Sequence, residues 1–404
     1  MRSTRTARVA GVVAVALALA ACGGDDDRAA EPTGGSTSAG ATTEPAEDAP
    51  TDAAGEGDTG EDGDRTVPEV PLVTADVAEV VATGLAAPWG LAELPDGAWL
   101  VTERDDRRLL RVTDGSTTPV TGEGADDLAE LTVTDGEGGL LGVAVSPTFD
   151  EDGLVFLYRT AEGGNQVLRG ELQGTRLGAL EVILDAVPAA ATHDGGQVAF
   201  GPDGHLYVST GDAGSPRLAQ NPDSLAGKIL RITPDGSAAP GNPIPGSPLW
   251  SLGHRNVQGL GWSEDGRMFA SELGQNTADE LNLVVAGGNY GWPDVEGVGA
   301  EASTAAGFVD PLVTWDTAEA SPSGLAVTGE GVYLAALQGE RLWRVPLAAQ
   351  GVGQPQSLLE GGTGRVRTVV TGSDGDLYVL TSTTDGRGEP GPDDDRLLRV
   401  TVDD

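Results

Sequence analysis

The chain has 404 residues, 61 of them Gly, with only five Phe, five Tyr and seven Trp, a composition that suits a β-protein with many tight turns. Its formal net charge is −39, and from Asp76 onward acids still outnumber bases more than two to one. Such a field repels phosphate backbones and excludes nucleic acid as a partner, and any anionic cofactor must be held by local arginines or a metal.

In chain order, Arg2, Arg5 and Arg8 precede an apolar run, Val9 to Ala21, too short to anchor the chain as a membrane span. The run ends Leu19-Ala20-Ala21-Cys22-Gly23, which resembles a bacterial lipobox, so residues 1–22 read as a lipoprotein signal peptide with Cys22 as the lipidated residue. The alternative is an ordinary secretory peptide cleaved near Ala-x-Ala. Cys22 is the single cysteine, so no internal disulfide can form. Residues 23–75 hold 14 acids against two Arg and few large apolar side chains, and read as a disordered, self-repelling acidic tether. The expected location is extracytoplasmic, with the domain held to the bacterial cell membrane only through the lipid on Cys22.

From Asp76 to residue 404 one phrase recurs six times, a Gly-containing turn followed by a short alternating strand. The copies are Asp96-Gly97 before Ala98–Val101, Asp152-Gly153 before Leu154–Leu157, and Asp203-Gly204 before His205–Val208. Asp265-Gly266 before Arg267–Ala270, Glu330-Gly331 before Val332–Leu334, and Asp374-Gly375 before Asp376–Val379 complete the set. Asp-Gly favours tight turns because both residues tolerate positive φ. The copies are 44 to 65 residues apart, room for four short strands each. The fold class expected is all-β, a six-bladed β-propeller of four-stranded antiparallel blades. Leu109–Val112, Leu342–Val345 and Leu397–Val400 read as hairpin partners, and no helical period of useful length competes. A pair of β-sandwiches would not account for the phrase length.

Propellers carry function on loops at one end of the channel, so polar residues unneeded by a blade are informative. Thr192-His193-Asp194-Gly195-Gly196-Gln197 holds one of only three histidines, and Ser209-Thr210-Gly211-Asp212 follows. A His is the usual base near neutral pH and an Asp within reach would orient it, although a loop His is also commonly structural. Ser251-Leu252-Gly253-His254-Arg255-Asn256 is too polar for a plain hairpin turn. Arg255 could stabilise an oxyanion or simply pair with an acidic loop, and His254 reads as structural. Glu272-Leu273-Gly274-Gln275, Asp279-Glu280-Leu281-Asn282 and Gly288-Asn289-Tyr290-Gly291-Trp292-Pro293 suit either a hard cation or a polar turn.

Six ordered phrases resemble the soluble quinoprotein glucose and aldose sugar dehydrogenase family, which uses pyrroloquinoline quinone (PQQ). They are Glu137-Gly138-Gly139-Leu140-Leu141-Gly142, His193-Asp194-Gly195-Gly196, Gly227-Lys228-Ile229-Leu230-Arg231, Gly253-His254-Arg255-Asn256, Asp279-Glu280-Leu281-Asn282 and Asn289-Tyr290-Gly291-Trp292-Pro293. The resemblance runs from about Val77 to Val402. It implies His193 as catalytic base, Asp212 as the acid that orients it, and Arg255 beside the quinone with Asn256 as a cofactor-contacting neighbour. It implies backbone carbonyls of Gly274 and Gln275 for Ca2+, Arg365 and Arg367 for the cofactor carboxylates, and Glu137 at the cofactor rim. An aldose is the implied substrate, oxidised at C1 to a lactone, with electrons passed to an external acceptor.

Three positions depart from the family pattern. Gln338 stands where some relatives place a Lys on a cofactor carboxylate, a loss of roughly 1.5–3 kcal/mol if that hydrogen bond goes unreplaced. Gln275 replaces a common Pro, and Thr368 stands where an Asp often follows the second Arg. Two other readings remain open: a non-catalytic propeller that binds a carbohydrate or protein, and a calcium-dependent lactone hydrolase. The latter needs acidic and amide side chains converging on a metal where this chain offers arginines.

Overall fold

The computed structural model describes residues 71–404 except positions 114, 350 and 404. Cys22 and the tether up to residue 70 lie outside the described residues. Each recurring phrase becomes a hairpin inside a four-stranded antiparallel blade. The first blade comprises Pro88–Glu93, Trp99–Glu103, Arg108–Thr113 and Ser116–Pro119. The second comprises Leu140–Val145, Leu154–Ala161, Gly164–Gln173 and Glu181–Val187, with the short strand Arg176–Leu177 beside its third member. Val198–Phe200, Leu206–Ser209, Lys228–Ile232 and Leu249–Leu252 make the third, and Val257–Trp262, Met268–Glu272, Asp279–Val284 and Val313–Trp315 the fourth. Pro322–Val327, Gly331–Ala336, Arg341–Pro346 and Gln356–Leu358 form the fifth.

The sixth blade takes Val366–Thr371, Leu377–Thr381 and Leu397–Asp403 from the end of the chain and Thr74–Ala82 from its beginning. The first and last strands pair antiparallel, from Thr74 opposite Asp403 to Ala82 opposite Leu397, which closes the ring. This strand starts two residues ahead of the boundary read from composition. Val73 before it is buried, and its N–H donates to Gln356 Oε1 at 3.2 Å.

A blade cannot bury both faces alone, and the apolar clusters show where the burial occurs. Six clusters among the described residues each fill the seam between two neighbouring blades. Leu100 meets Leu157 between the first and second, Phe156 meets Val208 between the second and third, and Ile229 meets Ala270 between the third and fourth. Phe269 with Leu334, Ala335 with Val379, and Val101 with Leu380 continue the series round to the first blade. Each large side chain so buried contributes about 1.5–3 kcal/mol. Close approach of the innermost strands is bought by small residues at their bulges: a Cβ on Gly90 would lie 2.7 Å from the Leu141 carbonyl oxygen. Thr368 sits at such a bulge, against Gly324, which accounts for a compact residue there.

Among the described residues the structure adds helical elements that the strand periodicity hides, the short Phe149–Asp152, Ala300–Ala306 and, longest of them, a helix over Glu123–Leu131. It buries Leu128 on one side and places Glu123 and Asp126 in its first turn, where acids suit the helix dipole. Among the described residues no helix is long and apolar enough to cross a membrane.

Candidate active site

The polar phrases leave the blades at strand ends and come together in two arcs. The first arc handles protons. His193 lies just before the strand Val198–Phe200, with a positive φ of 63° that few non-Gly residues adopt. Its main chain is pressed against Gly211, where a Cβ would sit 1.9 Å from the His193 carbonyl oxygen, so only Gly fits. The His193 N–H donates to Glu137 Oε2 at 2.9 Å, and Nδ1 lies 2.7 Å from Asp212 Oδ1. A carboxylate at Nδ1 favours the tautomer with its proton there and leaves the Nε2 lone pair free. Asp212 is fully buried, accepts the Gly214 N–H on Oδ1 at 2.8 Å, and accepts the Trp292 indole N–H on Oδ2 at 2.8 Å.

Arg255 and Asn256 follow from the next blade. The Asp212 N–H donates to the Arg255 carbonyl at 2.8 Å, and the Arg255 guanidinium donates through Nη1 to the Leu273 carbonyl at 2.9 Å. The guanidinium carbon stands 5.7 Å from the centre of the Trp292 ring. Asn256 is buried and serves as a brace: Oδ1 accepts the Gly195 N–H at 3.0 Å, and Nδ2 reaches Glu137 Oε2 at 3.4 Å. His254 is buried below, between Ser251 Oγ and Glu272 Oε2, each at 2.9 Å, and stacks on Tyr290. Burial, with the nearby Glu272 charge adding to it, pushes the Glu280 carboxyl above its ordinary value.

The second arc is cationic. Arg365 donates to Asp385 Oδ2 at 3.0 Å and Arg367 to the same oxygen at 3.3 Å. Arg367 also donates to Gln258 Oε1 at 3.1 Å. Burial lowers the Arg367 guanidinium to about 10, against the opposing pull of Asp385. Arg104 donates to Asp105 at 2.7 Å and to the Asp385 carbonyl at 3.3 Å, and Arg387 donates to Glu137 Oε1 at 3.0 Å. Burial raises Glu137, but the His193 N–H and the Arg387 charge outweigh it and hold the carboxyl below its ordinary value. Arg104, Glu137, Gln258, Leu273, Arg367 and Arg387 are among the residues lining one pocket. Glu137 ties that pocket to His193, and Leu273 ties it to Arg255.

Sequence reasoning missed Arg104, Asp385, Arg387 and the contacts of Trp292. Trp292 lies in the polar phrase Asn289-Tyr290-Gly291-Trp292-Pro293, but its contacts cross between loops. Arg104 sits in an ordinary hairpin turn, and nothing local distinguishes it. Gln338 is exposed and does not line the pocket; its neighbour Leu337 does.

A family model for glucose/sorbosone dehydrogenases matches residues 85–399. The chain belongs to the glucose/sorbosone dehydrogenase family. It is 46% identical, with a TM-score of 0.78, to the PQQ-bound form of an aldose sugar dehydrogenase from Streptomyces coelicolor, over 82% of this chain and 99% of that one. It is 29% identical to an aldose sugar dehydrogenase of Escherichia coli, over 76% of this chain and 90% of the relative. Quinoprotein glucose dehydrogenase B of Acinetobacter calcoaceticus is 31% identical over 57% of this chain and 56% of its own length.

For a glucose/sorbosone dehydrogenase, the donor set fits a polycarboxylate cofactor. Two guanidiniums share the Asp385 carboxylate, and buried Arg255 Nε, Arg367 Nε, Ser382 Oγ and Thr383 Oγ1 have no hydrogen-bond partner among the described residues. Buried donors of that kind are costly unless a ligand satisfies them. The metal ligands expected at Gly274 and Gln275 also fit. Glu296 Oε1 accepts the N–H groups of Gln275, Asn276, Thr277 and Ala278, at 2.6 to 3.3 Å. No hydrogen bond among the described residues uses the Gly274 or Gln275 carbonyls, which suit a hard cation. Among the described residues no cluster of three or more His, Cys, Asp or Glu side chains is placed to hold a metal.

Proposed function

We propose that this glucose/sorbosone dehydrogenase oxidises the C1 hydroxyl of an aldose to a lactone, with PQQ and Ca2+ bound in the two-arc site and electrons passed to an external acceptor. The observation that carries the reading is the His193–Asp212 pair at 2.7 Å, whose His193 N–H donates to Glu137 of a pocket lined by three arginines and two carboxylates. When bound, the quinone supplies the acceptor for the C1 hydride, and the calcium ion beside it supplies Lewis acidity.

The protein's part is to move a proton and hold charge. His193 Nε2 takes the C1 hydroxyl proton, and Asp212 stabilises the imidazolium that results. Arg255 brings a fixed positive charge to the oxygen where negative charge develops, and needs no reorientation to do so. Arg365 and Arg367, with Arg104 and Arg387 beside them, would hold the cofactor carboxylates; Asn256 and Glu137 shape the rim. Gly274 and Gln275 would hold the cation through main-chain oxygens. Similarity to the PQQ-bound structure supports the choice of cofactor. Attachment to the membrane at Cys22 is part of the same proposal and rests on Arg2, Arg5, Arg8 and the Leu19–Cys22 phrase.

The test is reconstitution of the full chain with calcium and PQQ, followed by dye reduction across a panel of aldoses. Wild type and His193→Ala are run side by side. Turnover in wild type that collapses in the variant is expected. Equal rates would overturn the base assignment, and calcium-dependent sugar or protein binding without turnover would favour a non-catalytic module.

A further inference from the structure

Asp212 Oδ1 has two donors, the His193 ring and the Gly214 N–H. Its other oxygen, Oδ2, has one donor among the described residues, the Trp292 indole N–H, from 80 positions further along the chain. Asp212 is fully buried, so nothing else stands ready to satisfy Oδ2 if that donor is removed. The same indole presents its ring to the Arg255 guanidinium. One side chain thus touches both the acid behind the base and the cation of the site.

Trp292 is itself held from several sides. Its backbone N–H donates to the Gly253 carbonyl at 3.0 Å, two residues before Arg255. Its carbonyl accepts from Gln220 Nε2 at 2.7 Å. Gln220 is locked by a reciprocal pair with Asn289, 3.0 Å in one direction and 2.8 Å in the other. Gln220 ends the 3-10 turn Pro216–Gln220, whose Leu218 and Ala219 carbonyls accept from Lys228 Nζ at 2.8 and 2.9 Å. Lys228 is the chain's only lysine and is wholly buried. A third bond, to the Ala226 carbonyl at 2.6 Å, ties that ammonium to its own strand entry.

We propose that Trp292 is a positioning residue that sets the basicity of His193 through Asp212 and holds Arg255 in register with it. The inference rests on the functional reading above only for its kinetic consequence. Its electrostatic content stands in the protein without cofactor. An N–H donor on Oδ2 spreads the carboxylate charge. Removing it makes Asp212 a stronger partner for the imidazolium, so His193 should become more basic while its ring loses angular definition.

The decisive measurement is the titration of His193 by NMR in the full-length protein free of metal and cofactor. Only three histidines are present, so assignment needs few variants. Asp212→Asn should lower the His193 pKa. Trp292→Phe keeps the ring and deletes the N–H, and should raise that pKa by about half a unit or more. A Trp292→Phe protein whose His193 titrates as in wild type, while Asp212→Asn shifts it, would overturn the proposal, because a merely packing role survives in Phe. Should Trp292→Phe not fold, the indole signals of Asp212→Asn decide. One indole N–H among the seven tryptophans should move upfield and exchange faster, and seven unmoved signals would sink the idea. With PQQ, calcium and aldose, Trp292→Phe should lower kcat by about tenfold, leave KM little changed and move the pH limb of kcat in the direction of the NMR shift. An inactive wild type would count against the functional reading and leave the histidine titrations to judge this one.

Discussion

The two arcs of the site are built on opposite principles. Around Asp212 and Asn256, side-chain oxygens and nitrogens find partners within the protein, down to the single indole N–H on Asp212 Oδ2. Around Arg365 and Arg367, two guanidiniums share one carboxylate, and donors such as Arg367 Nε and Thr383 Oγ1 are buried without a partner among the described residues. In a chain of net charge −39, a pocket with more cation than anion does not arise from composition. The contrast teaches that the Asp212 carboxylate is satisfied by the protein's own groups, whereas the cationic arc keeps buried donors that an anion would satisfy.

The comparison breaks most visibly at the base. His193→Ala should cost about a thousandfold in kcat while leaving cofactor affinity nearly intact, which steady-state dye reduction and a cofactor titration would separate. A matching loss of affinity would mean the arcs are not independent.

Next in size is a pH effect on the first arc. Burial, with the Glu137 charge adding to it, raises Asp194 from 3.8 to about 6 despite hydrogen bonds from Asn165 and Ala190. The folded protein therefore binds this proton more tightly than the unfolded chain. The stability it contributes is full below about pH 4 and is lost as pH rises to about 6. Asp194→Asn should remove the dependence. Its denaturation free energy relative to wild type should improve by about 3 kcal/mol between pH 4 and pH 7. A constant difference across that range would show that the carboxyl ionises freely.

The second arc should respond in affinity rather than rate. Arg367→Gln deletes a buried charge-assisted donor and should weaken cofactor binding by roughly 10- to 100-fold, read from an equilibrium titration. Arg387→Gln should do less, under about fivefold, because its side chain is 60% exposed and screened by water. If the exposed arginine proved the larger of the two, the pocket rim and not its floor would hold the anion.

The blades were legible in the residue order. Asp96-Gly97, Asp203-Gly204 and Asp374-Gly375 each open a hairpin where the turn chemistry places one, and Leu109–Val112 and Leu397–Val400 lie in partner strands. Turn preference and strand alternation are decided within a few residues, so they survive reading without coordinates. His193 and Asp212 were legible for a similar reason, being only 19 positions apart on adjoining loops.

What the residue order could not reveal depends on ring closure. Arg104 meets Asp385 from 281 positions away, and Arg387 meets Glu137 from 250. Those meetings exist because Thr74–Ala82 pairs with the final strand and brings the first blade against the last. Trp292 likewise gains its role only when two loops 80 positions apart converge over the buried Asp212 carboxylate. Local turn chemistry thus determined the blades by itself, whereas the candidate base was named from its polar phrase together with the family resemblance. Tertiary closure decided which distant charges share a pocket, because no short-range period encodes which ends of a long chain will meet.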